Sequence, residues 1–448
     1  MTQSLTEGAI GNRLVKLTLP MVWGIFALVA FNLADTYYVG QLGTNQLAAM
    51  SFTFPVVMTL GSLAMGLGIG ASSIIARAIG QGDRSRVQRF TTNSLTLGVA
   101  AVALLSSIGL LTIDPLFKAL GASSEVLPYV RQYMQIWYFG MVFLVVPMVG
   151  NSAIRASGDT LIPSLIMTCS AGFNILLDPL LIFGLWGLPE LGLSGAALAT
   201  VFSRAVTLIA SLLVLKFKKD MLSSHFPDLE ETLACWRDIL YVGLPAAGTS
   251  MITPISIGII TSLLAVHGSV TVAGFGVASR VESFAMIVLM ALAASISPFV
   301  GQNWGAGKHG RVAKALQQSY LFCLGWGVLM AVLLAAAASS IVPLFNNNEE
   351  VVAIATTYLW IVPVSYGTAG IIQVTNSALN ALGRPIPAVI ITVLRMFVLY
   401  IPLAYLGSYW LGATGIFMAA TVSNVLVGIA AYLWSRRACA DRTDLVKV

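Results

Sequence analysis

The sequence predicts an all-α integral membrane protein with twelve transmembrane helices in two similar halves. Three observations predict this fold: the composition, the spacing of the apolar runs, and an internal repeat of about half the chain. Of the 448 residues, 57% are hydrophobic and only 9% are charged, whereas soluble proteins carry about 25% charged residues. This composition excludes a soluble multi-domain enzyme, a disordered chain and a secreted disulfide scaffold.

The apolar runs divide into twelve segments, each long enough to cross a hydrocarbon core about 30 Å thick. Several runs are longer than a crossing requires, so we expect tilted or kinked helices. Charged and turn residues separate the segments, which lie near 14–39, 45–79, 88–112, 126–151, 160–184, 192–215, 238–264, 270–300, 314–338, 351–378, 385–407 and 411–434.

The lysine and arginine residues set the orientation, because basic loops face the cytoplasm. With the N-terminus inside, all but five of the 24 Lys and Arg fall on the inner side. The exceptions are Lys118 in an outer loop and Arg131, Arg204, Arg280 and Arg395 within segments. We therefore expect a multi-pass protein of the cell (inner) membrane with both termini in the cytoplasm. The net charge of +6 has this membrane explanation and predicts no nucleic-acid partner.

The second half of the chain repeats the first at offsets of 220 to 226 residues. Segment 150–158 (GNSAIRASG) is echoed by 375–383 (TNSALNALG), and Pro20 and Pro245 lie early in crossings one and seven. Six crossings per repeat is an even number, so both copies share one orientation, as in transporters built from parallel repeats. We predict lobes of residues 1–219 and 220–448 in a chain that functions as a monomer.

Several other classes of protein are disfavoured. The four cysteines are far apart and form no CxxC motif, so we predict neither a disulfide framework nor a metal centre. Segment 301–309 resembles a phosphate-binding loop, but five residues separate Gly301 from Gly307 and His309 follows Lys308 where Ser or Thr is required. We therefore expect no bound nucleotide and no cofactor, with transport driven by an ion gradient. A membrane-embedded enzyme is disfavoured because the crossings carry no nucleophile with a base and no metal cluster. A channel is disfavoured because channels more often build the pore from several subunits.

Two carboxylates fall at matched depth inside the predicted crossings, where ionisable groups are costly and indicate function. Asp35 and Asp178 lie near the outer ends of crossings one and five. Asn174 is four residues before Asp178 and shares its helix face, while Thr200 and Tyr133 lie at a similar depth on crossings six and four. This set is suited to binding Na⁺ through oxygen atoms or to sharing protons between the two acids.

A structural role for these acids is the alternative interpretation. Each acid would then be satisfied by a backbone carbonyl or by Arg131 or Arg204. For Thr200 the alternative is a bond back to its own helix, and Tyr133 is of a type enriched at membrane interfaces.

A second polar cluster is predicted in the C-terminal half, from Arg280, Glu282 and Arg395. Arg280 and Glu282 are two residues apart and do not face one another on a regular helix. Glu282 is instead expected to pair with Arg395 of crossing eleven. We favour a buried ion pair that locks this half, with a role in substrate or proton binding as the alternative.

Taken together, these features resemble the multidrug and toxic compound extrusion (MATE) family, in its DinF branch. The resemblance rests on Pro20 and Asp35 in the first crossing, the GQGD loop at 80–83, the paired NSA loops, and Asn174 with Asp178. It covers essentially the whole chain. The branch implies that Asp35, Asn174 and Asp178 hold the coupling ion.

The NorM branch of the same family relies instead on acids in crossings seven and ten. Here those crossings carry acids only at their ends, as Asp238, Glu349 and Glu350. This departure disfavours NorM-type chemistry and a Na⁺ site in the C-terminal half.

The family implies a V-shaped pair of six-helix bundles that export cationic amphipathic compounds by H⁺ or Na⁺ antiport. We expect H⁺ rather than Na⁺, and we expect Pro20, which lacks a backbone donor, to let crossing one bend. An acidic cavity for cations is not evident, since Arg131 and Arg204 belong to the same lobe.

A flippase for lipid-linked oligosaccharides is the main alternative function. A flippase would need a cationic cavity for pyrophosphate. The four arginines within the crossings could provide one, so this alternative remains.

Overall fold

The computed structural model describes residues 5–42, 44–223 and 228–440 as an almost entirely helical chain. In order, the α-helices are α1 Ile10–Gly40, α2 Thr44–Gln81, α3 Arg84–Ala119, α4 Leu127–Ala156, α5 Leu161–Ile182, α6 Leu193–Leu213, α7 Leu229–Ala265, α8 Ser269–Gly305, α9 His309–Ile341, α10 Glu349–Ile361, α11 Tyr366–Ala381, α12 Pro385–Val393 and α13 Ile401–Ala440. A 3₁₀ turn at Val362–Ser365 joins α10 to α11, and π-helical turns extend α6 over Val214–Lys218 and join α12 to α13 over Leu394–Tyr400.

The prediction of twelve apolar helices is confirmed. Eleven helical stretches of the described chain are long and apolar enough to cross a membrane, and the last of them, Pro385–Arg437, has 53 residues. Gly412 interrupts this stretch with φ 61° and ψ −141°, a conformation that L side chains rarely adopt. The stretch therefore comprises crossings eleven and twelve.

The first compact unit runs from Trp23 to Ala247 within the described residues. Helix α4 is its centre and packs against α2, α3 and α6. Its large side chains Met134, Trp137, Tyr138 and Met141 are buried. Small residues set the helix spacing, because a Cβ on Gly66 of α2 would lie 2.7 Å from a backbone nitrogen of α7.

The first half of α7 is fastened to this first unit by polar bonds. Trp236 Nε1 donates to the carbonyl oxygen of Asn93 at 3.1 Å, and Arg89 forms an ion pair with Glu231. This part of α7 therefore packs with α2 and α3, although it begins the second sequence repeat.

The second compact unit comprises residues 5–22 and the described chain from Gly248 onward. Helices α8, α9 and α11 form its centre. Its N-terminal segment is held by Asn303, whose Nδ2 donates to the carbonyl oxygen of Leu5 at 3.2 Å, and by Arg311, whose Nη1 donates to the carbonyl oxygen of Gly8 at 2.9 Å.

The chain changes unit at equivalent places in the two repeats. Helix α1 passes from the second unit to the first just after Pro20, and α7 passes from the first to the second just after Pro245. The lobe boundary predicted at 219/220 is a boundary between the two sequence repeats. The compact units are defined by contacts instead, so the lobe boundary stays a prediction.

Candidate ion-binding site

Close packing of α1 against α5 builds the framework of the candidate site in the first unit. A Cβ on Gly24 of α1 would lie 3.0 Å from Ser164 Oγ and 3.1 Å from Ser164 Cα, so a larger residue would crowd α5 at this approach. One turn further, Ala27 and Phe31 of α1 form a small buried apolar cluster with Ala171 of α5. The two helices therefore stay side by side as they approach the predicted acids.

The acidic residues continue the two helix faces that meet in this cluster. Asp35 follows Phe31 by four residues on α1, and Asn174 and Asp178 follow Ala171 by three and seven residues on α5. Residues at these spacings share a helix face. The packing thus directs both carboxylates to the same side, which their depth in the sequence alone does not determine.

Asn174 joins Asp178 to helix α6. In the amide orientation that satisfies both neighbours, its nitrogen donates to Asp178 Oδ2 at 2.8 Å and its oxygen accepts from the backbone N–H of Thr200 at 3.2 Å. One turn away, Ser170 Oγ donates to the carbonyl oxygen of Ser203 at 3.1 Å. Two interhelical bonds therefore fix the face of α5 that carries the site against α6.

Asp178 is the most enclosed group of the set. It is 0% exposed, and its Oδ1 has no hydrogen-bond partner among the described residues. Asp35 is half-buried and lies close enough to Asp178 for the two charges to interact. The buried phenol of Tyr133, from α4, interacts with both acids. The arrangement is therefore a pair of acids in an apolar, protein-lined environment, in which Asp178 Oδ1 has no hydrogen-bond partner among the described residues.

Neither arginine that offered a structural explanation is hydrogen-bonded to this acid pair in the described structure. Arg131 Nε donates to Asp114 Oδ1 at 3.1 Å, which pairs it with α3. The guanidinium of Arg204 lies over the Phe31 ring, 5.7 Å from its centroid. Neither guanidinium therefore neutralises the acid pair by a direct hydrogen bond within the described residues.

A small cleft of about 30 Å³ adjoins the site between α1, α4, α5 and α6. Among the described residues that line it, Arg204 is the only charged one. Asn174 and Thr200 belong both to this lining and to the bridge at Asp178. The polar lining residues are Asn151, Ser170, Asn174, Thr200, Ser203, Arg204 and Thr207.

Sequence reasoning named Thr200 and Arg204 but missed Ser203, Thr207 and Asn151 of this lining. Ser203 and Thr207 follow Thr200 at i+3 and i+7, and with Arg204 at i+4 they mark one helix face, so the stripe was detectable on the otherwise apolar α6. Asn151 comes from another helix, α4, and nothing in its spacing relates it to that stripe.

Pro20 lies inside α1, which is continuous from Ile10 to Gly40. It stands fifteen residues before Asp35, in the part of the helix that belongs to the second unit. The described helix is not broken at this proline, so its predicted role in bending stays a prediction.

The second predicted cluster is arranged differently from the expectation. Glu282 accepts a hydrogen bond from Tyr358 Oη, and within the described residues no ion pair joins it to Arg395. Arg395 does lie near enough for its charge to interact with Glu282. Arg280 is exposed and is not part of the hydrogen-bonded group. Arg280 and Glu282 of α8 therefore lie on different sides of the helix, as expected for residues two positions apart.

Two repeats of helices that are long and apolar enough to cross a membrane are the architecture of a membrane transporter. A family model described as MatE matches residues 20–180 and 245–406, which correspond to the two repeats. The chain belongs to the MATE family, and the family prediction is confirmed.

Curated relatives cover nearly the whole chain. An FAD transporter of Shewanella oneidensis is 40% identical over 435 residues, which is 97% of this chain and 96% of that protein. The multidrug export protein MepA of Staphylococcus aureus is 26% identical over 446 residues, 98% of each chain. These relatives support membrane transport and multidrug efflux as the general activity.

Solved structures of the family share the fold. A crystal structure of a mutant of the Vibrio cholerae MATE transporter VcmN matches with a TM-score of 0.91 and 31% identity, covering 96% of this chain and 97% of that one. VcmN in the bent form matches with a TM-score of 0.90 and 30% identity, with the same coverage.

Proposed function

We propose that this protein exports small molecules by alternating access, in exchange for H⁺ that binds at Asp35 and Asp178. The observation that carries the proposal is the fully buried Asp178, held by Asn174 and close to a second carboxylate. Neutralising such a pair removes the repulsion between two charges in a medium of low dielectric constant. Proton entry and release therefore change the bonding at the site.

The donor chemistry favours H⁺ over Na⁺. Hard cations such as Na⁺ prefer oxygen ligands, as Ca²⁺ and Mg²⁺ do, but Asn174 presents its amide nitrogen to Asp178 and uses its oxygen on Thr200. An amide N–H donated to a carboxylate is compatible with proton exchange on the other carboxylate oxygen. Tyr133 and Thr200 shape the site by enclosing it and by anchoring Asn174.

The coupling step follows from these contacts. With both acids ionised the first unit binds substrate, and protonation from outside then relieves the charge repulsion and alters the packing of α1 on α5. Pro20 lowers the cost of bending α1 because it removes one intrahelical hydrogen bond. Substrate leaves outward, and the proton is released inside. The membrane potential supplies about 2.3 kcal/mol per charge for each 100 mV.

Cationic amphipathic drugs are the first candidate substrates. The multidrug export relatives and the family support them, and the acid pair offers negative charge when ionised. A lipid-linked oligosaccharide flippase is less well supported, because the chain belongs to the MATE family and Arg131 is already occupied by Asp114.

Flavin adenine dinucleotide is the second candidate substrate, and one observation favours it. The only charge among the described residues lining the cleft is the positive charge of Arg204, which suits an anionic pyrophosphate better than a cation. The relative named as an FAD transporter is also more similar to this chain than MepA is.

Uptake into inverted membrane vesicles tests both parts of the proposal. Ethidium and FAD are offered separately, each driven by a pH gradient alone or a Na⁺ gradient alone. We expect the pH gradient to drive uptake, and uptake driven only by Na⁺ would contradict H⁺ coupling. Arg204→Gln is expected to impair FAD uptake and spare ethidium, with Arg280→Gln, an exposed arginine of the other unit, as the matched control.

The orientation and the oligomeric state belong to the same proposal. We propose a monomer in the cell (inner) membrane with both termini in the cytoplasm, which the one-sided Lys and Arg distribution supports. Reporter fusions at each end and light scattering of the purified protein in detergent test these two points.

A further inference from the structure

A cavity of about 650 Å³ lies in the second unit, between the beginning of α9 and the end of α13. It is separate from the ion site, which belongs to the first unit. The basic residues His309 and Lys314 of α9 and Arg436 of α13 line it, together with Gln317 and Tyr432. We call this cavity the basic groove.

Aromatic packing gives the basic groove a fixed wall. The Tyr432 ring meets the Tyr320 ring edge-on at 5.7 Å, and the Tyr320 hydroxyl is bonded to Thr375 Oγ1 at 2.9 Å. The guanidinium of Arg436 lies 5.8 Å from the centre of the Tyr432 ring. A cation held over a fixed ring is oriented before any ligand binds, which lowers the entropic cost of binding an anion.

On the opposite side of the basic groove, the His309 ring packs against Trp304 with the ring centres 4.2 Å apart. No acidic side chain belongs to the described lining. Both α9 and α13 therefore contribute positive charge to the basic groove, and no carboxylate of the described lining neutralises it.

The equivalent place in the first unit already binds an anionic group. Arg84 begins α3 as His309 begins α9, and Arg84 forms an ion pair with Asp220. Gln88 Nε2 donates to the carbonyl oxygen of the same residue at 3.1 Å. In one repeat, then, the basic start of the third helix is matched by a carboxylate from the chain itself.

The basic groove continues into an apolar surface on α9. Leu321, Leu324 and Val328 are exposed and follow Gln317 at spacings of four, three and four residues, so they extend the same helix face. Exposed leucine and valine on a membrane-spanning helix suit contact with acyl chains, and a basic pocket at the end of such a face suits a lipid head group.

We propose that the basic groove binds the phosphate of an anionic phospholipid, with the acyl chains along the apolar face of α9. Lys314 and Arg436 bind the phosphate oxygens, and His309 adds a further donor. A free phosphate ion shares the charge but would gain nothing from the apolar face. The basic loops lie on this side of the membrane, so the lipid belongs to the leaflet that we assign to the cytoplasm.

Lipid titration of the purified full-length protein in neutral detergent tests the proposal, with native mass spectrometry as the readout. Phosphatidylglycerol and phosphatidylcholine of the same chain length are compared, and inorganic phosphate is the competitor. We expect phosphatidylglycerol to bind about tenfold more tightly than phosphatidylcholine, because each nearby basic residue favours an anionic lipid. Inorganic phosphate should not displace it at equal concentration.

The double variant Lys314→Gln/Arg436→Gln is expected to lose the preference for phosphatidylglycerol. Arg437→Gln, which removes an exposed neighbouring charge outside the lining, should keep it, and Arg436→Lys should retain most of it. Equal melting temperatures establish that the variants are folded. An undiminished preference in the double variant, or displacement by inorganic phosphate, overturns the assignment of a lipid site.

Discussion

Tyrosines at equivalent positions in the two units lie next to different acids. Tyr133 of α4 and Tyr358 of α10 occupy equivalent positions in the two repeats, 225 residues apart, and both are buried. In the first unit the tyrosine interacts with Asp35 and Asp178. In the second it donates a hydrogen bond to Glu282.

The acids themselves do not follow the repeat. At the same offset, Ile260 corresponds to Asp35 and Leu403 to Asp178, and Glu282 corresponds to Val57 in the first repeat. The first unit thus has two carboxylates near one another, whereas the second has one carboxylate within electrostatic range of Arg395. The first arrangement is suited to exchange of a proton, and the second to a lasting structural contact.

Removing the charge of Asp178 should separate the two units most clearly. We expect Asp178→Asn to lower gradient-driven uptake into inverted vesicles by about tenfold or more, a loss of ~1.4 kcal/mol or more in transition-state stabilisation. The asparagine keeps the size of the side chain but cannot release a proton at this site. Asp35→Asn should have the same effect. Normal coupled export by either variant would refute the acid pair as the site of coupling.

The bridge at Asn174 should have the next largest effect. Asn174→Ala removes the donor to Asp178 and the acceptor for Thr200, and we expect uptake to fall several-fold, about 1 kcal/mol. Asn376→Ala is the matched control, because this amide of α11 bonds Thr392 in the second unit. Equal losses in the two variants would mean that the amides serve packing alone.

Glu282→Gln should affect stability more than coupling. The substitution weakens a charge-assisted hydrogen bond from Tyr358 and leaves Arg395 without its nearby counter-charge, at a cost of about 1.5–3 kcal/mol. We expect a lower melting temperature with an unchanged ratio of protons to substrate. A changed ratio would give the second unit a share in coupling and remove the contrast between the units.

Pro20→Ala should have the smallest effect. It restores one backbone donor to α1 and stiffens the helix, so we expect uptake to slow by about two- to threefold while substrate affinity stays the same. Stopped-flow fluorescence with ethidium separates the two quantities. A lower affinity at unchanged rate would assign Pro20 to the shape of the cleft.

Hydropathy and repeats predicted the fold because a bilayer imposes one length and one apolar character on every crossing. Only the ends of the helices were not predicted accurately, as at Gly412, where two crossings meet without a loop. Depth along the crossings also brought Asp35 and Asp178 to one level, with Asn174, Thr200 and Tyr133 at a similar depth. The contacts between them needed the packing of α1 on α5.

Depth alone does not say which way a side chain points around its helix. Arg131 is at the level of the acids but pairs with Asp114 on α3, and Arg280 is exposed. The sequence predicted Arg395 as the partner of Glu282, whereas Tyr358 provides the hydrogen bond. Such partners depend on the helix rotation, which packing of many side chains determines together.

Proton release on substrate binding tests the central claim most directly. The purified protein in weakly buffered detergent solution receives saturating ethidium, whose positive charge competes with the proton, and a pH-sensitive dye counts the protons. We predict that the wild-type protein releases about one proton per bound substrate, that Asp35→Asn and Asp178→Asn release none, and that Glu282→Gln releases as many as the wild type. Proton release that persists in either the Asp35→Asn or the Asp178→Asn variant would contradict the account.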